Sequence, residues 1–69
     1  MRELIAKRIK EIRIENKLSQ VKFGEILFVS QDTVSLWEQG KSLPSTEYII
    51  AIAKTFNISA DYILCLKDE

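Results

Sequence analysis

The sequence predicts an all-α fold, a compact single domain of five short helices spanning residues 1–69. Three observations carry that reading. Apolar residues recur at helical spacing almost throughout the chain, as helices with one buried face require. Four serines, Ser19, Ser30, Ser45 and Ser59, each stand just before a helix-length stretch, where a hydroxyl can cap free backbone amides. Only two Gly and one Pro punctuate 69 residues, and no run of alternating β-branched residues competes.

Taken in order, Ile5, Ile9 and Ile12 make the inward stripe of the first helix, with charges between them. It should end near Asn16-Lys17, because Asn tolerates the left-handed conformation that closes a helix. Leu18 then drops into the core, and Ser19 opens a second helix over about Gln20 to Leu27. Ser30 opens a third, about Gln31 to Gln39, which Gly40 closes by supplying the positive φ of a tight exit. Lys41-Ser42-Leu43-Pro44 is a connecting loop. Ser45 caps a fourth helix, about Thr46 to Phe56, whose inward stripe is Ile49, Ile52, Ala53 and Phe56. Glu47 in its first turn and Lys54 near its end both suit the helix dipole. Ser59 caps a short fifth helix from Ala60 to about Leu66.

Composition narrows the function. At 69 residues the chain lies near the lower size limit for folding without staples, and 46% hydrophobic residues suffice for a small core. Cys65 has no intramolecular partner, and with no His there is no credible metal cluster. The lack of His and of a Gly-rich phosphate loop leaves nothing to assemble a nucleophile–base pair or a cofactor cradle, so neither an enzyme nor a cofactor is expected. No apolar run resembles a signal peptide or a membrane span, which reads as cytoplasmic. Net charge is +0, yet residues 1–24 hold seven bases against three acids, +4, so the remainder carries −4. That asymmetry suits a module with a basic side, and equally a solvated first helix with Glu/Lys pairs.

The segment Ser19 to Gly40 is the most informative. Its two capping serines stand eleven positions apart, leaving a one-turn link between two short helices. Such a link forces a steep crossing and lets the second helix stand out, narrow enough for a DNA major groove. Trp37, three after Val34, faces inward beneath it. Glu38 is an unexpected choice for a last helical turn, where the dipole disfavours an acid unless it has a partner.

From roughly Leu4 to Leu66 the pattern resembles the phage-repressor and Cro-like (Xre-type) helix-turn-helix family, with a lambda-repressor-like fold. The matching residues are Ile9, Ile12 and Arg13, then Leu18-Ser19-Gln20, Val29-Ser30, Thr33-Val34-Ser35, Trp37-Glu38, Gly40-Lys41, Pro44-Ser45, and Ile58-Ser59 with Asp61-Tyr62-Ile63-Leu64. Each is weak alone, and together in order they are specific. Two positions depart from the pattern. Gly24 stands where a small residue, commonly Ala, is usual, and Phe28 stands where the turn usually carries Gly. An aromatic held at positive φ is strained by roughly 1–3 kcal/mol. Either the turn relaxes to another conformation, or Phe28 packs well enough to offset the strain.

The resemblance implies a transcriptional regulator, commonly a repressor, that binds a double-stranded DNA operator as a homodimer with its third helices in successive major grooves. By position, Gln31, Asp32, Ser35 and Leu36 would face base edges. Gln31 suits adenine N6 and N7, Asp32 cytosine N4, and Leu36 a thymine methyl. Gln20, Ser30, Thr33, Lys41 and Ser42 would hold phosphates. An ion pair of Arg13 with Glu38 would lock the first helix to the third; the alternative is an exposed Glu near a solvated Arg. Ile63, Cys65, Leu66 and Leu43 are either dimer contacts or ordinary core. The rival function is a protein-interaction module on the same scaffold, favoured by the apolar Val21, Ile26 and Phe28.

Overall fold

The computed structural model describes residues 1–67 and consists of α1 (Arg2–Glu15), α2 (Gln20–Leu27), α3 (Gln31–Glu38), α4 (Thr46–Phe56) and α5 (Ala60–Ile63). No strand occurs among these residues. Nor is any of their helices long and apolar enough to cross a membrane.

Three of the serines cap as their positions suggest. Ser19 Oγ accepts from Lys22 N–H at 3.0 Å, Ser30 Oγ from Thr33 N–H at 3.1 Å, and Ser59 Oγ from Tyr62 N–H at 3.0 Å. Ser45 occupies the N-cap of α4 without a side-chain cap bond; its backbone carbonyl instead accepts from Tyr48 and Ile49 N–H, each at 3.0 Å. Each such hydroxyl bond contributes about 1 kcal/mol by satisfying an amide the helix leaves free.

All the helices end alike. A left-handed residue follows each one: Lys17 (φ 59), Phe28 (φ 61), Gly40 (φ 73), Asn57 (φ 55) and Cys65 (φ 63). The amide of the next residue then reaches back to a carbonyl in the last turn. These bonds run Leu18 N–H to Arg13 O (3.1 Å), Val29 to Gly24 O (2.9 Å), Lys41 to Leu36 O (3.0 Å), Ile58 to Ala53 O (3.0 Å) and Leu66 to Asp61 O (2.8 Å). This is the Schellman closure, which turns the following apolar residue inward. Leu18, Val29 and Ile58 pack on the core accordingly.

The closure bears out the end of α1 near Asn16-Lys17 and the role of Gly40, and corrects the end of α5. α1 takes its left-handed turn at Lys17, while Asn16 (φ −92) stays right-handed and its Nδ2 donates to Ile12 O at 2.7 Å. With Gly40 left-handed, Gln39 becomes the C-cap, and α3 stops at Glu38. The reversal at Cys65 ends α5 at Ile63, well before Leu66.

The core is built from Ile5, Ile9 and Ile12 of α1, Phe23 and Leu27 of α2, Val34 and Trp37 of α3, Ile49 and Ile52 of α4, and Ile63 of α5. Phe23 stacks on Phe56 at 5.5 Å between ring centres, and Trp37 tilts against Tyr48 at 5.4 Å. Ala53 and Phe56 complete the α4 stripe half-buried. Ile63, fully buried, is core rather than a dimer contact.

Arg8 ties the ends of the fold together. Its guanidinium lies 4.1 Å over the Tyr62 ring, donates to the Tyr62 and Lys67 carbonyls, and bonds Glu11 at 3.3 Å. A cation at the carbonyl end of α5 complements that end's partial negative charge.

Candidate nucleic-acid interface

The turn of the Ser19–Gly40 segment closes tightly on α2. A Cβ placed on Gly24 would lie 2.6 Å from the Val29 carbonyl oxygen, so only glycine admits this approach of the turn to α2. Phe28 keeps the left-handed conformation and is 93% exposed. Neither sequence expectation for this residue holds: the turn does not relax, and the ring does not pack. The closing bond from Val29 to Gly24 and the burial of flanking Leu27 fix the backbone regardless of the ring.

α3 buries one face and displays the other. Val34 and Trp37 are in the core, while Gln31, Asp32 and Leu36 are exposed and Ser35 is half-exposed. The four expected base-reading residues therefore share one side of one helix. The phosphate candidates fall on two edges of that side. Ser30 and Thr33 lie together at the start of α3, their hydroxyls 3.1 Å apart. Lys41 and Ser42 follow its end, exposed and half-buried respectively, with both amides turned back to Leu36 O.

Behind this surface, Arg13 and Glu38 form a two-pronged pair: Nε to Oε2 at 2.7 Å and Nη2 to Oε1 at 3.1 Å. Arg13 Nη1 also donates to Leu18 O at 2.9 Å. The Glu38 side chain is only 4% exposed, so this is a desolvated bond joining α1 to the last turn of α3. Gln20 belongs to the same network. Its Nε2 donates to Glu38 Oε1 at 3.1 Å, and its Oε1 faces Gln31 Nε2 at 3.5 Å. The carboxamide assigned to phosphate in the sequence reading is thus already engaged with the buried acid and with a base-reading candidate.

Two residues of this region escaped the sequence reading. Gln39 Nε2 donates to Ser35 Oγ at 2.6 Å, placing a further carboxamide beside the exposed face; its position four after Ser35 was the available signal. Arg2 Nη1 donates to Lys41 O at 3.4 Å, a contact across 39 positions that no local pattern announces.

Comparison with known proteins matches residues 9–63 to the helix-turn-helix family. Antitoxin PezA of Streptococcus pneumoniae is 39% identical over 56 residues, 81% of this chain and 35% of that protein. Repressor protein C2 of Salmonella phage P22 is 32% identical over 62 residues, 90% of this chain and 29% of that protein. The chain thus spans about a third of the length of these two relatives. HTH-type transcriptional regulator YgzD of Bacillus subtilis is similar in extent, 32% identical over 90% of this chain and 94% of its own. The crystal structure of the P22 c2 repressor in complex with a synthetic operator superposes with a TM-score of 0.78 at 30% identity, covering 86% of this chain and 89% of that one. The chain therefore belongs to the Xre-type, lambda-repressor-like helix-turn-helix family of DNA-binding transcriptional regulators.

Proposed function

We propose that this chain reads a DNA operator as a homodimer, each protomer placing α3 in a major groove, and that it acts as a repressor. The observation that carries the reading is the two-sided character of α3. Its inner face is anchored by Val34, Trp37 and the Arg13–Glu38 pair, while Gln31, Asp32, Ser35 and Leu36 stand together on the outer one. A helix held this firmly from behind has little backbone freedom left to lose on docking. Gln31 pairs with adenine, Asp32 accepts from cytosine N4, and Leu36 meets a thymine methyl. Ser30, Thr33, Lys41 and Ser42 hold the flanking phosphates, and Gln20 reaches a phosphate with the amide hydrogen that Glu38 leaves free. The operator complex of the P22 c2 repressor supports DNA as the partner. Exposed Leu43 and Leu66 are the apolar contacts a second copy would cover. Two-fold symmetry then sets the half-sites about 34 Å apart.

A shift assay with duplexes from the chain's own promoter region, at low and moderate salt, tests this. A sequence-dependent complex of the dimer is expected, and its absence at low salt rejects the reading. One observation favours a second reading, a protein partner: Phe28, with Val21 exposed on the adjoining helix, is apolar surface that a phosphate-facing segment does not need. Loss of a regulator complex in Phe28→Ser, with DNA binding absent from the parent chain, would establish it.

A further inference from the structure

We propose that Arg2 and Lys41 form a two-cation clamp on a DNA phosphate where the chain leaves α3, which makes Arg2 a DNA-contacting residue outside the helix-turn-helix. The proposal rests on the DNA-binding reading above and extends its contact surface to α1. α1 begins against the exit of α3. Around Gly40, the nearest groups to a Cβ built there are the Ala6 methyl and Arg2 Cγ, each at 3.8 Å. The Arg2 side chain continues along the loop, and its Nη1 donates to the Lys41 carbonyl at 3.4 Å. That single long bond sets the guanidinium at the Lys41 backbone while most of its donors remain available.

Both side chains are exposed cations, and among the described residues neither lies within ion-pair distance of a carboxylate. Glu3, the nearest acid in sequence, faces the Met1 amino group at 3.7 Å. Two exposed cations rooted on adjoining backbone without a counter-charge leave this edge of the surface positive. A phosphate docking there meets both charges, and a guanidinium grips two of its oxygens at once. Lys41 and Ser42 already border the reading face, so the clamp is continuous with it.

The test is the salt dependence of binding to a random-sequence duplex, measured with the whole 69-residue chain as log K against log salt concentration. Arg2→Ala should make the slope shallower by about one per protomer, while Arg2→Lys keeps it. The melting temperature should stay within about 2 °C of the parent in both variants, since the Lys41 carbonyl is exposed and water replaces Arg2. An unchanged slope in Arg2→Ala overturns the proposal. So does an equal fall in slope and melting temperature in both variants, which assigns Arg2 to the fold. Absence of binding to any duplex at low salt rejects the clamp and the DNA reading together. A shallower slope in a chain that shows no base preference keeps the clamp and rejects the operator reading alone.

Discussion

The Val29 carbonyl oxygen lies 2.6 Å from where a Cβ on Gly24 would stand, closer than a methyl group and a rigid peptide can coexist. The relationship decides what a natural-looking substitution does. Gly24→Ala gains about 1 kcal/mol of helix propensity, but the methyl can be admitted only by moving the turn that Val29 N–H fastens to Gly24 O at 2.9 Å. Overpacking against backbone costs about 1–3 kcal/mol, so the balance is against alanine. We predict a net loss of about 1 kcal/mol in denaturant unfolding, although Ala is the commoner residue here in the family.

Phe28 gives the opposite sign. It holds φ 61 with its ring 93% exposed, so the strain of a left-handed aromatic is met by no buried contact. Phe28→Gly should stabilise the chain by about 1 kcal/mol, less than the full strain because glycine gains freedom in the unfolded state. Thermal melting should rise by about 4–8 °C. A lower melting temperature would mean that the ring makes contacts the fold depends on.

The Arg13–Glu38 pair should behave as a buried interaction. Glu38→Ala leaves the Arg13 guanidinium desolvated and uncompensated, and should cost about 3 kcal/mol. The coupling energy from a double-mutant cycle with Arg13→Ala should barely change between low and high salt, unlike that of the exposed Lys22–Glu25 pair.

Arg8→Ala removes the ring contact with Tyr62 and the cation at the end of α5. A loss of about 1–2 kcal/mol is expected, with faster amide hydrogen exchange confined to α5 and the adjoining end of α4. Base preference should be unchanged, because these contacts join α1 to α5 and the residues that follow it and touch none of Gln31, Asp32, Ser35 and Leu36.

Much of this architecture was legible because it is local. The bounds of α2 and α4 follow from a serine, a helical apolar stripe and a stop, all within a dozen residues or so. Helix endings were legible only in part. Gly40 and Asn57 are residue types that tolerate the left-handed turn, whereas Lys17, Phe28 and Cys65 adopt it under tertiary constraint, which is why α5 ran too long and Asn16 took the place of Lys17. The exposed row on α3 followed from the family resemblance, and the burial of Val34 and Trp37 on the opposite face agrees with it. The side chains around it were not legible, because Gln20 meets Glu38 and Arg2 meets Lys41 across positions distant in sequence. Such contacts depend on how the helices cross, and a single sequence carries that only through a family resemblance.

Base reading by the outer face of α3 is tested by selecting duplexes from a randomised pool with the parent chain and with Gln31→Ala. The parent should enrich an inverted repeat with half-sites about 34 Å apart, and Gln31→Ala should lose preference at one adenine per half-site while retaining the others. A pool that remains random with the parent chain, or an enriched sequence identical in the two proteins, would contradict base reading by this face.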